Sequence, residues 1–243
     1  MNAIEVRGLT KKYAAKTAVD GISFSVAEGE MFALLGVNGA GKTTTARMLT
    51  CLSAPTSGEG FIKGHSVLTE KAAVKQIVGI SPQDTAVAEK LTVRENLELM
   101  AKVYGFGKDK VKARTDEMIE MFQMREVENS RAKTLSGGWK RKLSIAMALI
   151  GEPQVLFLDE PTLGLDVLAR RELWRAVEKL KGKITVVLTT HYMEEAEALS
   201  DRIAIMINGR LAAVGTLAEI EEKAGVSGLE NAFVAIAEGG MDK

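Results

Sequence analysis

The sequence predicts an α/β fold in which a mostly parallel central sheet carries an N-terminal antiparallel β subdomain and an inserted α-helical subdomain. Three observations support this prediction. An apolar strand, a glycine-rich loop and the beginning of a helix follow one another over residues 31–52. Two continuous apolar segments, residues 155–158 and 184–188, are typical of parallel strands covered on both faces. Residues 91–151 carry the apolar spacing of helices, which predicts the helical subdomain.

The length and composition indicate one folded unit. The chain has 243 residues, of which 46% are hydrophobic, so a single domain over residues 1–243 can bury a substantial core. Within it we assign about residues 91–151 to the helical subdomain and about residues 217–243 to a C-terminal tail. The tail has helical character, and we expect its end to be weakly ordered.

The N-terminal subdomain is predicted from two strand patterns, residues 3–8 and 17–26, joined by a polar turn at residues 11–16. Tyr13 lies in this predicted turn. There, an aromatic ring is either an ordinary surface residue or a platform on which a nucleobase stacks.

Residues 36–44 fit the P-loop pattern G-x-x-x-x-G-K-[ST] between a predicted strand and a predicted helix. The glycines let the backbone curl so that several N–H groups face one point, and the positive end of the helix adds to their attraction for phosphate. Lys42 adds a charge towards the β- and γ-phosphates, and the hydroxyl of Thr43 can bind Mg²⁺. These features predict a P-loop NTPase core.

A buried strand is predicted at residues 77–80, with Gln83 shortly after it. The helical subdomain then begins at Thr92, whose spacing from Glu95 is that of a capping box. Cys51 is expected in the apolar helix after the P-loop as a small buried side chain.

Residues 136–138, Ser-Gly-Gly, precede another predicted helix and form a second candidate phosphate-binding loop. Serine is a favourable N-cap residue, and the glycines leave N–H groups exposed. Because this loop lies in the helical subdomain, it is difficult for both loops of one chain to hold one nucleotide. A two-fold dimer resolves the difficulty, since the second loop of each chain can close on the nucleotide of the other.

The strand at residues 155–158 ends in two acids, Asp159 and Glu160. Solvation at a strand exit is the ordinary explanation for such acids. In a P-loop protein, however, the first acid would complete the Mg²⁺ shell, and the second would orient or deprotonate a water that attacks the γ-phosphate.

Charge and hydropathy argue against some partners. Lys+Arg and Asp+Glu are 32 each, so the formal net charge is zero, which argues against a nucleic-acid partner. The single cysteine excludes an internal disulfide and fits a reducing cytosol. We find no signal-peptide pattern and no apolar run near the roughly 20 residues that span a bilayer, so work at a membrane would need another chain for the crossing.

The motifs, in this order and spacing, resemble the ATP-binding subunit of an ABC transporter over nearly the whole chain. Residues 36–44 are similar to Walker A and residues 135–138 to the signature motif. Asp159 resembles the Walker B acid and Glu160 the catalytic glutamate that follows it, while residues 164–166 resemble the D-loop.

The resemblance implies roles for individual residues. Catalysis would involve Glu160, His191 as the switch histidine, and Gln83 as the Q-loop glutamine that also faces the membrane partner. Mg²⁺ would be bound by Thr43, Gln83 and Asp159. The residues expected to contact ATP are Tyr13, Gly36, Asn38, Gly39, Ala40, Gly41, Lys42, Thr43 and Thr44 of one chain and Ser136, Gly137 and Gly138 of the other.

Three positions depart from the commonest family pattern. Val37 stands where proline is frequent, which the loop tolerates because its phosphate contacts are made by the backbone. Trp139 replaces the usual glutamine after the signature glycines, and Lys142 stands where arginine is usual. The last two bear on how tightly this loop engages ATP.

Residues 191–197 and 229–233 resemble, more narrowly, the drug-exporter branch that includes daunorubicin-resistance ATPases. The resemblances imply a Mg²⁺-dependent ATPase that powers transport, in the direction of export, through a separate integral-membrane permease. They also imply a second ATP-binding subunit, most simply in a homodimer, and peripheral attachment to the cytoplasmic face of the membrane. The substrate pocket would lie in the permease, so this chain does not specify the substrate.

Three other functions are less well supported by the sequence, and the first two are kept as alternatives. A non-transport ATPase of the same superfamily is disfavoured, because resembling repair members carry a long coiled coil before the signature motif and translation members carry two such domains per chain. A regulatory nucleotide-binding module without turnover is disfavoured by the presence of both Glu160 and His191. A GTPase is disfavoured because no Asn-Lys-x-Asp motif occurs.

Overall fold

The computed structural model describes residues 1–14 and 16–239 and has the predicted α/β architecture. The strands are β1 (Asn2–Tyr13), β2 (Lys16–Ala27), β3 (Met31–Leu35), β4 (Ser57–Ile62), β5 (His65–Ser66), β6 (Val78–Ser81), β7 (Val155–Asp159), β8 (Thr185–Thr190), β9 (Arg202–Ile207) and β10 (Arg210–Gly215). The helices are α1 (Lys42–Leu49), α2 (Lys71–Ile77), α3 (Val93–Val103), α4 (Lys108–Met121), α5 (Gly137–Leu149), α6 (Val167–Glu178), α7 (Met193–Leu199), α8 (Leu217–Ala224) and α9 (Leu229–Gly239).

A six-stranded sheet with the order β10-β9-β3-β8-β7-β6 forms the centre of the molecule. Its neighbouring strands are parallel except for the β9–β10 hairpin. Successive residues of β3 point to opposite faces, so Met31 and Leu35 belong to one hydrophobic core, whereas Phe32 and Leu34 belong to the other. Because both faces are covered, β3 and β8 are buried along their whole length.

The N-terminal subdomain is an antiparallel sheet with the order β2-β1-β4-β5. Strand β1 is longer than predicted and continues to Tyr13, so this residue ends a strand and does not lie within a turn over residues 11–16. Register shifts against β2 follow Val6 and Leu9 and interrupt the alternation of inward and outward residues. Because the alternation of inward and outward residues is interrupted, the sequence pattern does not predict the second half of β1.

Three helices, α3, α4 and α5, lie between β6 and β7, in the segment predicted to be helical. The predicted capping box is present at α3, where the hydroxyl of Thr92 accepts from the N–H of Glu95 and the carboxylate of Glu95 accepts from the N–H of Thr92. Helix α5 packs against α3 and α4 as well as against β6 and β7, so it joins the inserted helices to the central sheet.

Two local predictions are wrong. Ile77 is the last residue of α2 and not the first residue of a strand, and the sequence does not predict α2 because Val74 is its one buried residue. Cys51 lies beyond the end of α1 with a φ of +58° and is half-buried. Both errors arise where a short helix buries few side chains or stops early.

Helices α8 and α9 form the C-terminal tail, and Leu229 and Phe233 of α9 are buried against the main core. Residues 240–243, the end of the predicted tail, lie outside the described residues. In residues 1–14 and 16–239, no helix combines the length and apolar character needed to cross a membrane.

Candidate functional site

A cleft of about 440 Å³ opens beside the P-loop, residues 36–44, and we call it the P-loop cleft. The segments that follow β3, β6 and β7 contribute to it, because parallel strands end at the same edge of a sheet. Its volume suits a cofactor-sized ligand. The predicted site residues that line it are Tyr13, Asn38, Gly39, Ala40, Gly41, Lys42, Thr43, Thr44, Gln83 and Glu160.

The shape of the P-loop requires two of its glycines. Gly41 has a φ of +106°, and a Cβ atom there would lie 2.6 Å from the carbonyl oxygen of Ala18. A Cβ atom on Gly36 would clash with the carbonyl oxygen of Met206. Gly41 is also the N-cap of α1, and no side chain in the described residues caps this helix. The N–H groups of its first turn are therefore available to an anion.

The side chain of Lys42 is buried in the P-loop cleft and only 4% exposed. Its Nζ atom donates to the carbonyl oxygen of Gly36 at 2.7 Å and lies 3.2 Å from Oε1 of Glu160. The other carboxylate oxygen of Glu160, Oε2, lies 2.5 Å from Nδ1 of His191. The carboxylate is thus held between the P-loop lysine and the histidine.

The backbone of Glu160 is also constrained. Its N–H lies 3.0 Å from the carbonyl oxygen of Thr189 and 3.1 Å from the hydroxyl of the same residue. Its φ of +49° is left-handed, which costs a residue other than glycine about 1–3 kcal/mol. Such strained residues concentrate at functional sites, and here the turn directs the carboxylate into the cleft.

Oxygen atoms suited to a divalent cation lie beside the P-loop. The hydroxyl of Thr43 donates to Oδ1 of Asp159 at 3.0 Å, and the hydroxyl of Thr189 donates to the same atom at 2.5 Å. The amide of Gln83 lines the same cleft. This donor set fits Mg²⁺, which proteins bind through one or two carboxylates together with water and substrate phosphates.

Tyr13, at the end of β1, lines the P-loop cleft. Its side chain is 46% exposed, and Nζ of Lys11 lies 5.0 Å from the ring centroid. This arrangement leaves ring surface accessible, as stacking on a nucleobase requires, and that role stays a prediction.

The second predicted phosphate-binding loop, residues 136–138, does not line the P-loop cleft. Ser136 caps α5 through its hydroxyl, and both Ser136 and Gly137 are exposed. The loop packs against the beginning of α6, where a Cβ atom on Gly138 would lie 3.2 Å from the Cβ atom of Ala169. Its N–H groups and hydroxyl are therefore presented to solvent rather than to the chain's own P-loop.

The two unusual residues after this loop contact each other. The Nζ atom of Lys142 lies 4.3 Å from the ring centroid of Trp139 and 2.8 Å from Oε2 of Glu172 on α6. The cation–π contact lies within α5, and the ion pair joins α5 to α6 beside the exposed loop.

The protein family described as ABC transporter matches residues 19–163, more than half of the chain. The chain belongs to the ABC transporter family. Daunorubicin resistance ATP-binding protein DrrA3 of Streptomyces coeruleorubidus is 43% identical over 224 residues, which cover 92% of this chain and 71% of the relative. Other relatives are much longer, and this ABC protein spans 9% of ATP-binding cassette sub-family A member 2 of Homo sapiens.

Solved structures of ABC proteins have the same fold. One described as the structure of the ATP binding subunit of an ABC transporter has a TM-score of 0.86 at 32% identity, covering 96% of this chain and 99% of that one. The dimeric post-hydrolysis structure of the ATP-binding cassette MJ0796 bound to ADP and Pi has a TM-score of 0.80 at 26% identity, covering 88% and 98%. These comparisons confirm the predicted fold class and an ATP-binding ABC transporter subunit that resembles drug-resistance ATP-binding proteins.

The structure brings most predicted site residues together. Asp159 and Glu160 at the end of β7 meet the P-loop, His191 after β8 contacts Glu160, and Gln83 after β6 lines the same cleft. Residues 136–138 stay apart from them, as the dimer hypothesis expects of a single chain.

Arg141 also belongs to this site, although no sequence motif points to it. Its side chain is 4% exposed, and its guanidinium donates to the carbonyl oxygens of Asp159 at 2.5 Å and Pro161 at 2.8 Å. It also donates to the carbonyl oxygens of Pro82 at 2.5 Å and Gln83 at 3.2 Å. Burial lowers the pKa of Arg141 to about 10. Its acceptors are backbone carbonyl oxygens, which every residue type possesses, so the sequence does not indicate which residues Arg141 contacts.

Glu195 of α7 is a second residue to which the sequence motifs assign no individual role. It is fully buried, and its Oε1 atom accepts from the indole N–H of Trp174 on α6 at 3.2 Å. Burial raises the pKa of its carboxyl group. The contact ties α7, which begins just after His191, to α6.

A separate groove of about 460 Å³, the outer groove, lies between α3, α5 and β6. Two exposed apolar side chains border it, Leu52 at 61% exposure and Tyr104 at 37%. Pro82 lines the outer groove, whereas the next residue, Gln83, lines the P-loop cleft. One short loop therefore borders both.

Proposed function

We propose that this ABC protein is a Mg²⁺-dependent ATPase that powers export through a separate integral-membrane permease. The position of Glu160 between Lys42 and His191, in the cleft of an intact P-loop, carries this proposal. A nucleotide-binding module without turnover has no use for a strained carboxylate held at this place.

The substrate would bind with its phosphates at the N-terminus of α1 and its adenine near Tyr13. Thr43, Asp159 and Gln83 are the residues that would hold Mg²⁺. When bound, the ion neutralises charge on the β- and γ-phosphates.

Glu160 has the geometry of a general base. The γ-phosphate offers Lys42 a new acceptor, which releases the carboxylate from its 3.2 Å contact with the ammonium group. Glu160 then orients a water, which attacks the γ-phosphorus while the bond to the bridging oxygen breaks, and the carboxylate takes the water's proton. His191 keeps the carboxylate in place through its Nδ1 atom.

A second ATP-binding subunit would complete each site. Residues 136–138 of one chain would bind the γ-phosphate held by the P-loop of the other through N–H groups and a hydroxyl. The exposed apolar side chains of Leu163, in the turn before α6, and of Val167 and Leu168, at the beginning of α6, are 41%, 62% and 75% exposed. They lie next to this loop and would supply an apolar contact for a second copy. We propose a homodimer.

The permease would dock in the outer groove, since one loop connects that groove to the P-loop cleft. This arrangement attaches the protein peripherally to the cytoplasmic face of the membrane. Movement of Gln83 and of the inserted helices would then be passed to the permease as a ligand-driven shift between two states. No nucleic acid takes part.

Replacement of the general base tests this proposal. We expect Glu160→Gln to lower ATP turnover about 10²–10⁴-fold while ATP binding is retained, because the amide keeps the shape but cannot accept the proton. Glu194→Gln, at an exposed position on α7, is the matched control. Chelation of Mg²⁺ should reduce wild-type turnover to background. Normal turnover in the Glu160→Gln variant would refute the assignment.

A further inference from the structure

Arg141 belongs to α5, the helix that begins at the signature loop, residues 136–138. Its side chain contacts the turn that contains Glu160 and the loop that contains Gln83. It stands three residues after Gly138, inside the first turns of α5. Its side chain points inward and ends in the hydrogen bonds to the carbonyl oxygens after β6 and β7. Within residues 1–14 and 16–239, no other side chain forms hydrogen bonds that join these three segments.

The four carbonyl acceptors of Arg141 form two pairs, and each pair lies in a segment that carries a residue with a proposed role, Glu160 or Gln83. Asp159 and Pro161 stand on either side of Glu160, so the guanidinium holds both ends of the strained turn that aims the carboxylate. Pro82 and Gln83 form the loop between the outer groove and the P-loop cleft. A planar guanidinium offers five donors in fixed directions, so neither loop can shift against it without losing hydrogen bonds.

We propose that Arg141 is a positioning residue that transmits contact at the signature loop to Glu160 and to the Gln83 loop of the same chain. The inference rests on the proposed function, because the contact at the signature loop is the γ-phosphate bound by the partner chain. Helix α5 is buried along most of its length and packs against β6 and β7, so its N-terminal end and Arg141 move together. A nucleotide bound at the P-loop of one chain then influences the position of Glu160 in the other chain.

Arg114 of α4 offers a matched control, because it contacts the C-terminal end of α5. Its guanidinium donates to the carbonyl oxygens of Leu149 at 2.8 Å and Ile150 at 3.4 Å, and its side chain is 14% exposed. Like Arg141, Arg114 donates to backbone carbonyls of another segment, and it also pairs with Glu117 and Glu152, but none of these partners belongs to a loop of the P-loop cleft. Arg114→Lys therefore measures the stability that such contacts give to α5 without touching the catalytic turn.

The test compares Arg141→Lys with Arg114→Lys. Lysine keeps the charge but lacks the fork that holds both loops. We expect the two variants to lose similar thermal stability and to bind ATP within about twofold of wild type. Turnover should fall about 10- to 100-fold in Arg141→Lys alone, the scale of a displaced catalytic group.

Hydrogen exchange separates transmission from simple stability. In the Glu160→Gln background with Mg-ATP, pairing should protect the backbone of residues 136–139, 82–86 and 160–163. The same background carrying Gly137→Asp, which should bind ATP without pairing, is the unpaired reference. Adding Arg141→Lys should keep the protection of residues 136–139 and abolish the pairing-dependent protection of the other two segments.

Every outcome bears on the inference. If the Arg141→Lys form pairs and protects all three segments as the parent does, or if Arg141→Lys keeps normal turnover, the inference is overturned while the proposed function stands. If Glu160→Gln itself fails to pair, the proposed function fails and the inference falls with it. Should Arg141→Lys unfold where Arg114→Lys does not, Arg141→Gln is measured in its place, and unfolding of both Arg141 variants would show a structural role only.

Discussion

The P-loop and the signature loop both combine glycine residues with a helix N-terminus, where phosphate can bind. They differ in their exposure to solvent and in the charged side chains around them. The P-loop lies in a cleft and carries a buried ammonium group, Lys42, with a carboxylate 3.2 Å away. The signature loop is exposed, and the basic residues after it are engaged elsewhere, with Lys142 on Glu172 and Arg141 on backbone carbonyls. The P-loop therefore has the features to bind phosphate within one chain, whereas the proposed role of the signature loop is to bind a phosphate that another chain already holds.

The largest difference should appear in ATP affinity. We expect Lys42→Ala to weaken ATP binding roughly 10- to 100-fold, because a hydrogen bond from a charged donor contributes about 1.5–3 kcal/mol. Ser136→Ala should leave the affinity of a dilute, unpaired chain unchanged, since Ser136 does not line the P-loop cleft. Titration with a fluorescent ATP analogue at low protein concentration measures both, and an equal loss in the two variants would contradict the division of roles.

Glycine-to-alanine substitutions in the P-loop and in the signature loop should change the free energy of unfolding by different amounts. Gly41→Ala introduces a Cβ atom 2.6 Å from the carbonyl oxygen of Ala18 at a φ of +106°, so we expect a loss of about 1–3 kcal/mol in unfolding free energy. In Gly137→Ala the nearest atom, on Leu165, is 3.9 Å away, so stability should change by less than about 0.5 kcal/mol. Denaturant unfolding tests this pair, and comparable losses would show that the signature loop is as tightly packed as the P-loop.

Two substitutions of Ser136 distinguish its cap from its proposed contact with the partner's nucleotide. Ser136→Ala should lower the unfolding free energy by about 1 kcal/mol through loss of the N-cap, while Ser136→Gly should lower it by only a few tenths. Both remove the hydroxyl, so we expect the same fall in turnover from the two. If turnover instead follows stability, the hydroxyl serves only as a helix cap.

A further prediction, for which only the direction follows, concerns the pH dependence of stability at Glu195. Because burial raises its folded-state pKa, the carboxyl group contributes stability that is fully present below its ordinary pKa of 4.5 and is lost as the pH rises through the raised value. Glu195→Gln cannot ionise, so its stability relative to wild type should increase with pH above 4.5. Unfolding of the two proteins between pH 5 and about pH 8 measures this divergence, with Glu194→Gln as the control. A constant difference would contradict a raised pKa.

Sequence patterns predict the P-loop side of the molecule well, because its function depends on residue types. A lysine, a hydroxyl and two acids at fixed spacing after apolar strands can be recognised as Lys42, Thr43, Asp159 and Glu160. The contacts of Arg141 with the Glu160 turn and the Gln83 loop could not be predicted in this way, since their acceptors are backbone carbonyls that any sequence would supply. The same limitation explains the length of β1, where bulges interrupt the alternation that marks a strand.

The central claim is that a nucleotide bound by one chain is gripped by the signature loop of another. The most direct measurement is the mass in solution of the Glu160→Gln variant with Mg-ATP, alone and in the presence of its permease. We predict that the 26.2 kDa chain pairs, and that adding Gly137→Asp abolishes pairing while ATP still binds. The added carboxylate has room in the exposed loop, where the nearest atom to a Cβ is 3.9 Å away, but it repels the partner's phosphate. Failure of Glu160→Gln to pair under both conditions, or pairing that survives Gly137→Asp, would contradict the account.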